Sequence, residues 1–548
     1  WLRHVGPASA EPLIGQAAWA SAMRGVGGFG LLLLAAVPGV LGDVAHRPHI
    51  LFIVADDLGW SDVGFRSHQI RTPNIDALAN DGVVLNQYYV HSVCSPSRAT
   101  FLTGRYSLHH TVDDWIIPGI PTALPLNETL LPQVLSRAGY RSHAVGKWHL
   151  GYTRWAHTPT FRGFESFVGF YGNGEGYFLH NFSGAYDMRR DLRPSCGPGC
   201  SEVAWDLRGK YTTHLFTERA VELIREHDTA GGPLFVYLAY QAVHWPAEVP
   251  DSYVDRYRTS IDNLQRRVFA GMLDCMDEGI GNVTRALAAR DMLDDTLIVF
   301  TTDNGGPIRD YGDHIGSTNY PLRGGKHSIW EGGTRATALV WAGPRTGLHV
   351  QGRGGVTNEL MHGADWLPTL CGVAGIAEAC ASLPLDGVDQ AGSLFRGEAT
   401  TRTEVFFGQH DNCPNLYKPY DTALRDGDGW KLYQDSPGEP SCYSQPPTSA
   451  HPGCRPGPED PILPCGPKLF NLREDPEEHR EVSAQHPDVV ARLSARLDEL
   501  RATGVDVVGG GGHPDPSCPP YRRSEHQHPK VGNIWEPWCD EPSASVVV

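Results

Sequence analysis

Four short apolar runs in this chain each stop at residues able to bind ions or move protons. HILFIVADDLGW ends in Asp56-Asp57, YRSHAVGKWHLG in Lys147 and His149, PLFVYLAYQAVHWP in His244, and DTLIVFTTDNGG in Asp303-Asn304. Singly, each has an ordinary reading, since an Asp-Asp pair caps helices and Asp-Asn-Gly-Gly makes a turn. Together they point to chemistry, because core-facing strand ends have no use for so many charges. Three carboxylates and an amide oxygen form a hard oxygen site suited to Ca²⁺ or Mg²⁺. Lysines and histidines beside it suit a tetrahedral oxyanion, with the histidines able to carry protons. A fifth stretch, HSVCSPSRATFLTGRY, sets Cys94 where an apolar helix begins, four residues before Arg98. The helix dipole and Arg98 should acidify that thiol, making it a poor inert core residue. Half of a disulfide is its ordinary alternative.

Such residues need a scaffold that gathers strand ends. The first two-thirds of the chain alternates β-branched runs with amphipathic helical stretches, the pattern of an α/β domain built on a mostly parallel sheet. Ligands of such sheets bind outside the carboxyl ends of the strands, so the four strand ends should converge on one crevice. The pattern changes near 375–390. Downstream, VFFGQH, ALRDGDGWKLYQ and PKLFNLRE read as short antiparallel strands, followed by a helix in HPDVVARLSARLDELRATG. The expected organisation is a catalytic domain over 43–380 and a smaller α+β domain over 381–548. The latter includes a Cys/Pro-rich loop, 441–467, which could border the crevice.

The net charge of −17 argues against a nucleic-acid partner, and any anionic substrate must be drawn by a local basic pocket. Residues 1–22 read as an upstream segment, and 23–42, MRGVGGFGLLLLAAVPGVLG, as a secretory signal too short to span a membrane. A mature start near Asp43 and no membrane span follow. Sequons at Asn127, Asn181 and Asn282 and twelve cysteines agree with the secretory pathway. Cys275 sits on an apolar helical stripe and reads as a buried free thiol. Cys196–Cys200 and Cys371–Cys380 are local disulfide candidates, and Cys518 and Cys539 would pin a flexible Gly/Pro tail. His109-His110 read as a solvated helix end.

CSPSRATFLTGRY resembles the sulfatase signature, C-x-P-S-R followed by T-G-R. ADDLGWSDVG, TPNIDALANDG, GKWHLG and PLRGGKHSIWEGG follow in that family's order, and the likeness runs from about Arg47 to Val373. Within the family, QAVHWP, GMLDCMDEGIGNV and MHGADWLPTL look most like the arylsulfatase B branch. The resemblance implies an alkaline-phosphatase-like fold, a large mixed, mostly parallel sheet sandwiched by helices, with a small C-terminal antiparallel sheet. It implies that Cys94 is oxidised to formylglycine by a formylglycine-generating enzyme that reads Pro96 and Arg98. One hydroxyl of the aldehyde hydrate would attack sulfur and expel the alcohol, and loss of the proton from the other would eject sulfate and restore the aldehyde. It further implies one Ca²⁺, ahead of Mg²⁺, on Asp56, Asp57, Asp303, Asn304 and residue 94. Arg98 would hold the hydrate, and Lys147 and Lys326 the sulfate oxygens. His149 would act as base, and His244 with Lys326 would serve the leaving oxygen. Sulfated sugars such as N-acetylgalactosamine-4-sulfate, or aryl sulfates, would be substrates at an acid-side pH optimum, in a lysosomal or extracellular setting. Phe170, Tyr171 and Tyr177 could stack on a sugar ring. A phosphatase or phosphonate hydrolase of the same fold, which would need ligands for a second metal, and a non-catalytic glycan-binding homologue are the rival readings.

Overall fold

The protein is described by a computed structural model over residues 47–192, 199–308, 316–408, 422–448, 466–505 and 514–540. The expected signal segment, Cys196, and residues 449–465 of the Cys/Pro-rich loop lie outside them. The strand His49–Ala55 is apolar almost throughout because a parallel strand in mid-sheet is covered on both faces. Its side chains alternate between two cores. Leu51, Ile53 and Ala55 meet the helices Thr212–Glu226 and Leu264–Ala289, while Ile50, Phe52 and Val54 meet Phe101 and Trp366. Each large apolar side chain fully buried this way contributes about 1.5–3 kcal/mol.

The ten-stranded sheet runs in the order 355–357, 83–85, 338–342, 296–302, 49–55, 234–239, 141–147, 166–170, 189–191, 201–203. Its five central strands, from Thr296–Thr302 to Ser166–Phe170, are parallel, and antiparallel strands flank them. Register aligns their carboxyl ends: Ala55 pairs with Thr302, Val54 with Ala239, and Ala239 with Gly146. Gly146 has φ +105°, and a Cβ there would stand 1.9 Å from the Ala239 carbonyl oxygen. Only glycine lets these two strands approach beside Lys147.

A second sheet of four antiparallel strands, Glu404–Phe407, Ala423–Asp426, Trp430–Tyr433 and Lys468–Asn471, packs under the helix Pro487–Ala502 through Val489, Leu493 and Leu497. Both sheets agree with the sequence. Cys371–Cys380 and Cys518–Cys539 are bridged, Cys200 and Cys442 are also in disulfides, and Cys94 and Cys275 are free and buried.

Two expectations fail. His110 is no solvated helix end: it is fully buried, with Nε2 3.1 Å from the Thr100 hydroxyl. The tail over 514–540 is not a loose segment either. Asp515 N–H donates to Pro121 O at 2.7 Å, Cys539 N–H to Thr153 O at 2.9 Å, and Arg154 ion-pairs Asp515 at 2.8 Å. Tyr521, Trp535 and Trp538 cluster on Tyr152, so aromatic burial overrides the Gly/Pro composition.

Candidate active site

The helix Cys94–Thr103 carries the signature cysteine at its first residue. Every residue of this helix is buried, so it has no polar face. Its start is tied down by Ser95, whose hydroxyl donates to His149 O at 2.9 Å and accepts the Ile116 N–H at 3.0 Å. Its end is closed by Gly104 in the left-handed region, with N–H donating to Thr100 O. The helix therefore delivers Cys94 and Arg98 rigidly to the carboxyl edge of the main sheet.

There the predicted residues meet. Cys94 Sγ lies 3.6 Å from Asp56 Oδ1. Lys147 Nζ reaches Asp56 Oδ2 at 2.7 Å, and Lys326 Nζ reaches Asp57 Oδ1 at 2.7 Å. Arg98 holds Asp303 Oδ2 through Nε at 2.9 Å and Nη2 at 2.7 Å, and its Nη2 stands 3.6 Å from Asp56 Oδ1. Asp303 Oδ1 accepts the Asp57 N–H at 3.2 Å, and Asn304 Nδ2 donates to Asp57 Oδ1 at 2.8 Å. All of these side chains are buried. Potential ligand atoms of Asp56, Asp57, Cys94 and His244 lie within 4.8 Å of one another. Asp57 and His149 adopt φ of 63° and 56°, the left-handed region that ordinary residues enter only when surrounding structure compels it.

The two histidines are oriented by carbonyl oxygens, which only accept. His149 Nε2 stands 3.1 Å from Ile116 O and so carries the proton, leaving Nδ1 bare, buried and without a partner. His244 Nδ1 faces Trp245 O at 2.5 Å, leaving Nε2 directed at Asp57 Oδ2, 3.7 Å away. Burial, then Lys326, pushes the His244 pKa down to about 3, against the pull of Asp57. Burial, with Lys147 and Arg98, also holds His149 neutral. Burial works against the Asp57 carboxylate, but Lys326, His244 and Lys147 outweigh it and hold that group well below the usual range. Asp303 is pushed up by burial and by Asp56.

Cys94 reverses the sequence expectation. Burial raises its thiol pKa, with Asp303 and Asp56 adding to the rise, and this outweighs the lowering by Lys147 and Lys326. The thiol is not an activated thiolate here.

The donor set fits a hard divalent cation. Asn304 Oδ1 is buried with no hydrogen-bond partner, while its amide nitrogen is spent on Asp57. An orphaned amide oxygen beside three carboxylates is the vacancy in hydrogen bonding that an oxygen-seeking ion would satisfy.

The sugar-stacking expectation fails. Phe170, Tyr171 and Tyr177 are fully buried: Tyr171 stacks on Phe167, Tyr177 on Tyr211, and Tyr177 OH donates to His244 O at 2.9 Å. Sequence reading also missed His327, whose backbone N–H donates to Ser92 O at 2.9 Å and whose pKa is lowered to about 4 by burial and by Lys326. Its place next to Lys326 in GGKHS was the available signal.

The Sulfatase family model matches residues 48–376. Arylsulfatase J of Mus musculus is 36% identical over 516 residues, covering 90% of this chain and 81% of that protein. This chain belongs to the sulfatase family. The sulfatase is also 30% identical to arylsulfatase A of Homo sapiens over 535 residues, 89% of this chain and 96% of that one. Among solved structures, that of Ps i-CgsB in complex with k-i-k-neocarrahexaose matches with a TM-score of 0.67 and 28% identity, over 83% of this chain and 93% of that chain. These relatives establish a sulfuric ester hydrolase of arylsulfatase type. They do not support the narrower likeness to arylsulfatase B.

Proposed function

We propose that this sulfatase hydrolyses sulfate esters of sugars, using formylglycine at position 94 and one Ca²⁺ held by Asp56, Asp57, Asp303, Asn304 and residue 94. The observation that carries the reading is a free, buried cysteine at a helix start, seated among three carboxylates and three cations. Formylglycine would supply a hydrate nucleophile, and Ca²⁺ a Lewis acid beside it. Lys147 and Lys326 bind sulfate oxygens, each a point charge already at the site edge. His149 takes a proton at its bare Nδ1, and the leaving oxygen is met by His244 together with Lys326, whose ammonium carries the proton. The electrostatic balance suits this: three carboxylates already match Arg98, Lys147 and Lys326, so a divalent cation entering with the singly charged sulfate ester leaves one positive charge to face the charge that develops on sulfate, and with the released dianion none.

Sugar substrates are favoured by the neocarrahexaose bound to Ps i-CgsB. Trp245, next to His244, and Tyr320, on the segment leading to Lys326, are 41% and 40% exposed, leaving aromatic faces for a ring. N-acetylgalactosamine-4-sulfate ends of glycosaminoglycans are the first substrates to assay. Disulfides and exposed Asn127, Asn181 and Asn282 support a secretory, lysosomal or extracellular setting, and no described helix is long and apolar enough to cross a membrane.

The test is the mass of the peptide containing residue 94, from protein made in a secretory host, alongside hydrolysis of sulfated sugars and a small aryl sulfate. The aldehyde mass and sulfate release are expected. Unmodified cysteine in every active molecule would overturn the nucleophile, and phosphate-ester cleavage without sulfate-ester cleavage would favour the phosphatase reading.

A further inference from the structure

Lys326 stands in a loop that runs into the short helix Glu331–Thr334, and in GGKHSIWEGG, 324–333, four of ten residues are glycine. Such a backbone has wide conformational freedom, yet its lysine must sit 2.7 Å from Asp57. Lys326 N–H donates to Gly306 O at 3.2 Å and His327 N–H to Ser92 O at 2.9 Å, while the small C-terminal sheet and the 437–442 connection between its last two strands hold both flanks of the loop. On the amino-terminal side, Gly324 N–H donates to Cys442 O at 2.9 Å, and Arg323 Nε to Ser441 O at 2.7 Å. On the carboxyl-terminal side, Ile329 N–H donates to Pro437 O at 2.8 Å, and Trp330 packs between Tyr433 and Phe470.

At the centre of the second anchor is Lys431, fully buried on the strand Trp430–Tyr433. Its Nζ donates to Ile329 O at 2.8 Å and to Glu331 Oε1 at 2.9 Å, and lies 3.7 Å from Glu478 Oε1. Glu331 Oε2 accepts from Tyr89 OH at 2.9 Å, and the Glu331 N–H donates to Glu478 Oε2 at 2.8 Å. Tyr433 OH donates to Glu478 Oε1 and also stands 3.3 Å from Ile329 O, sharing its one proton between them. A buried ion cluster is weak grounds for stability, since apolar residues of similar volume do as well or better. Lys431 supplies what a leucine could not: two directed hydrogen bonds onto the loop, three and five residues beyond Lys326.

We propose that Lys431 is a positioning residue for Lys326, so that the C-terminal sheet sets sulfate affinity from outside the crevice. This rests on the reading that Lys326 holds the sulfate. Lys431 touches no substrate; it fixes where the Lys326 ammonium stands, and a displacement of about 1 Å is worth about 100-fold in rate.

The experiment measures kcat, KM for 4-nitrophenyl sulfate, the inhibition constant of inorganic sulfate and the thermal midpoint. It uses the full secreted chain as wild type, Lys431→Met, Lys326→Ala and the double variant. Lys431→Met is expected to lower kcat/KM by about 10–100-fold and to raise KM and the sulfate inhibition constant about 10-fold. In the Lys326→Ala background the same change should alter kcat/KM by less than about 2-fold, because both act through one group. A shifted thermal midpoint with unchanged sulfate inhibition would overturn the inference, as would losses that multiply in the double variant. Lys326→Ala with unaltered sulfate inhibition would instead sink the sulfate role of Lys326, and this inference with it. Should Lys431→Met fail to be secreted, Tyr433→Phe decides. It keeps Lys431 and its bond to Glu331 and removes the hydroxyl shared by Ile329 O and Glu478 Oε1, so sulfate inhibition should weaken about 3-fold; no change would refute the proposal.

Discussion

His91, three residues before the signature cysteine, tests how burial in this core couples to pH. Its ring is 5% exposed, with Nε2 3.1 Å from the Thr100 hydroxyl, and it faces the rings of His110 and His362 at 6.4 and 5.6 Å. Burial lowers its pKa to about 4. Because the folded value is depressed below the ordinary 6.5, its contribution to stability is present above pH 6.5 and is lost as pH falls toward 4. Protonation of the unfolded chain alone costs the native state about 0.2 kcal/mol at pH 7 and about 2 kcal/mol at pH 5. Buried carboxyls with raised values, such as Asp187 at about 7, work in the opposite sense, so total stability is the wrong readout. The comparison is His91→Gln against wild type by urea unfolding at each pH, in which groups away from the His91, His110 and His362 cluster cancel. At pH 7 the variant should be less stable by about 1–2 kcal/mol, for the lost Thr100 contact. By pH 5 that deficit should shrink by about 1.8 kcal/mol. A deficit constant to within about 0.5 kcal/mol would refute a neutral His91 and the burial argument with it.

Asp303→Ala should lose both bound metal, read as Ca²⁺ per chain by elemental analysis, and aryl sulfate turnover; full metal occupancy would place the ion elsewhere. Trp245→Ala should raise KM for a sulfated oligosaccharide about 10-fold while leaving a small aryl sulfate within about 2-fold, and equal losses on both would mean that it only props His244. Gly146→Ala should cost about 3 kcal/mol or more, measured as lost secretion or a fallen unfolding midpoint, since the new Cβ meets Ala239 O at 1.9 Å; normal stability would contradict the strand register. Glycosidase treatment should shift the mass of peptides holding Asn127, Asn181 or Asn282, and three bare sequons would count against secretory routing.

The meeting of Asp56, Lys147, His244 and Asp303 was legible because charge at the ends of apolar parallel strands is a strong local signal, and register then does the rest. The small sheet was legible for the same reason, as alternation within short runs. What failed was burial arising from distant parts of the chain. Cys94 has the neighbours of an acidified thiol, but its desolvation comes from residues up to two hundred positions away. Phe170, Tyr171 and Tyr177 look like platform residues in a loop and are instead core: Phe170 stacks on Phe216, Tyr171 on Phe167, and Tyr177 holds His244 O through its hydroxyl. The tail was read for its glycines, while Tyr521, Trp535 and Trp538 decided its fate.

The burial of Cys94 also sets a clock. In the folded chain the thiol is 2% exposed and Arg98 0%, so no enzyme could read that motif there as an extended peptide. The crevice closes over it only when the strands Leu234–Ala239 and Thr296–Thr302 have joined His49–Ala55. About two hundred residues separate Cys94 from the last of these, roughly 10–40 s of synthesis at about 5–20 residues per second. Any modification of Cys94 has that interval, plus the time the parallel sheet takes to form, and then the opportunity ends. A variant that folded faster would leave a sound molecule with an unmodified thiol at its centre.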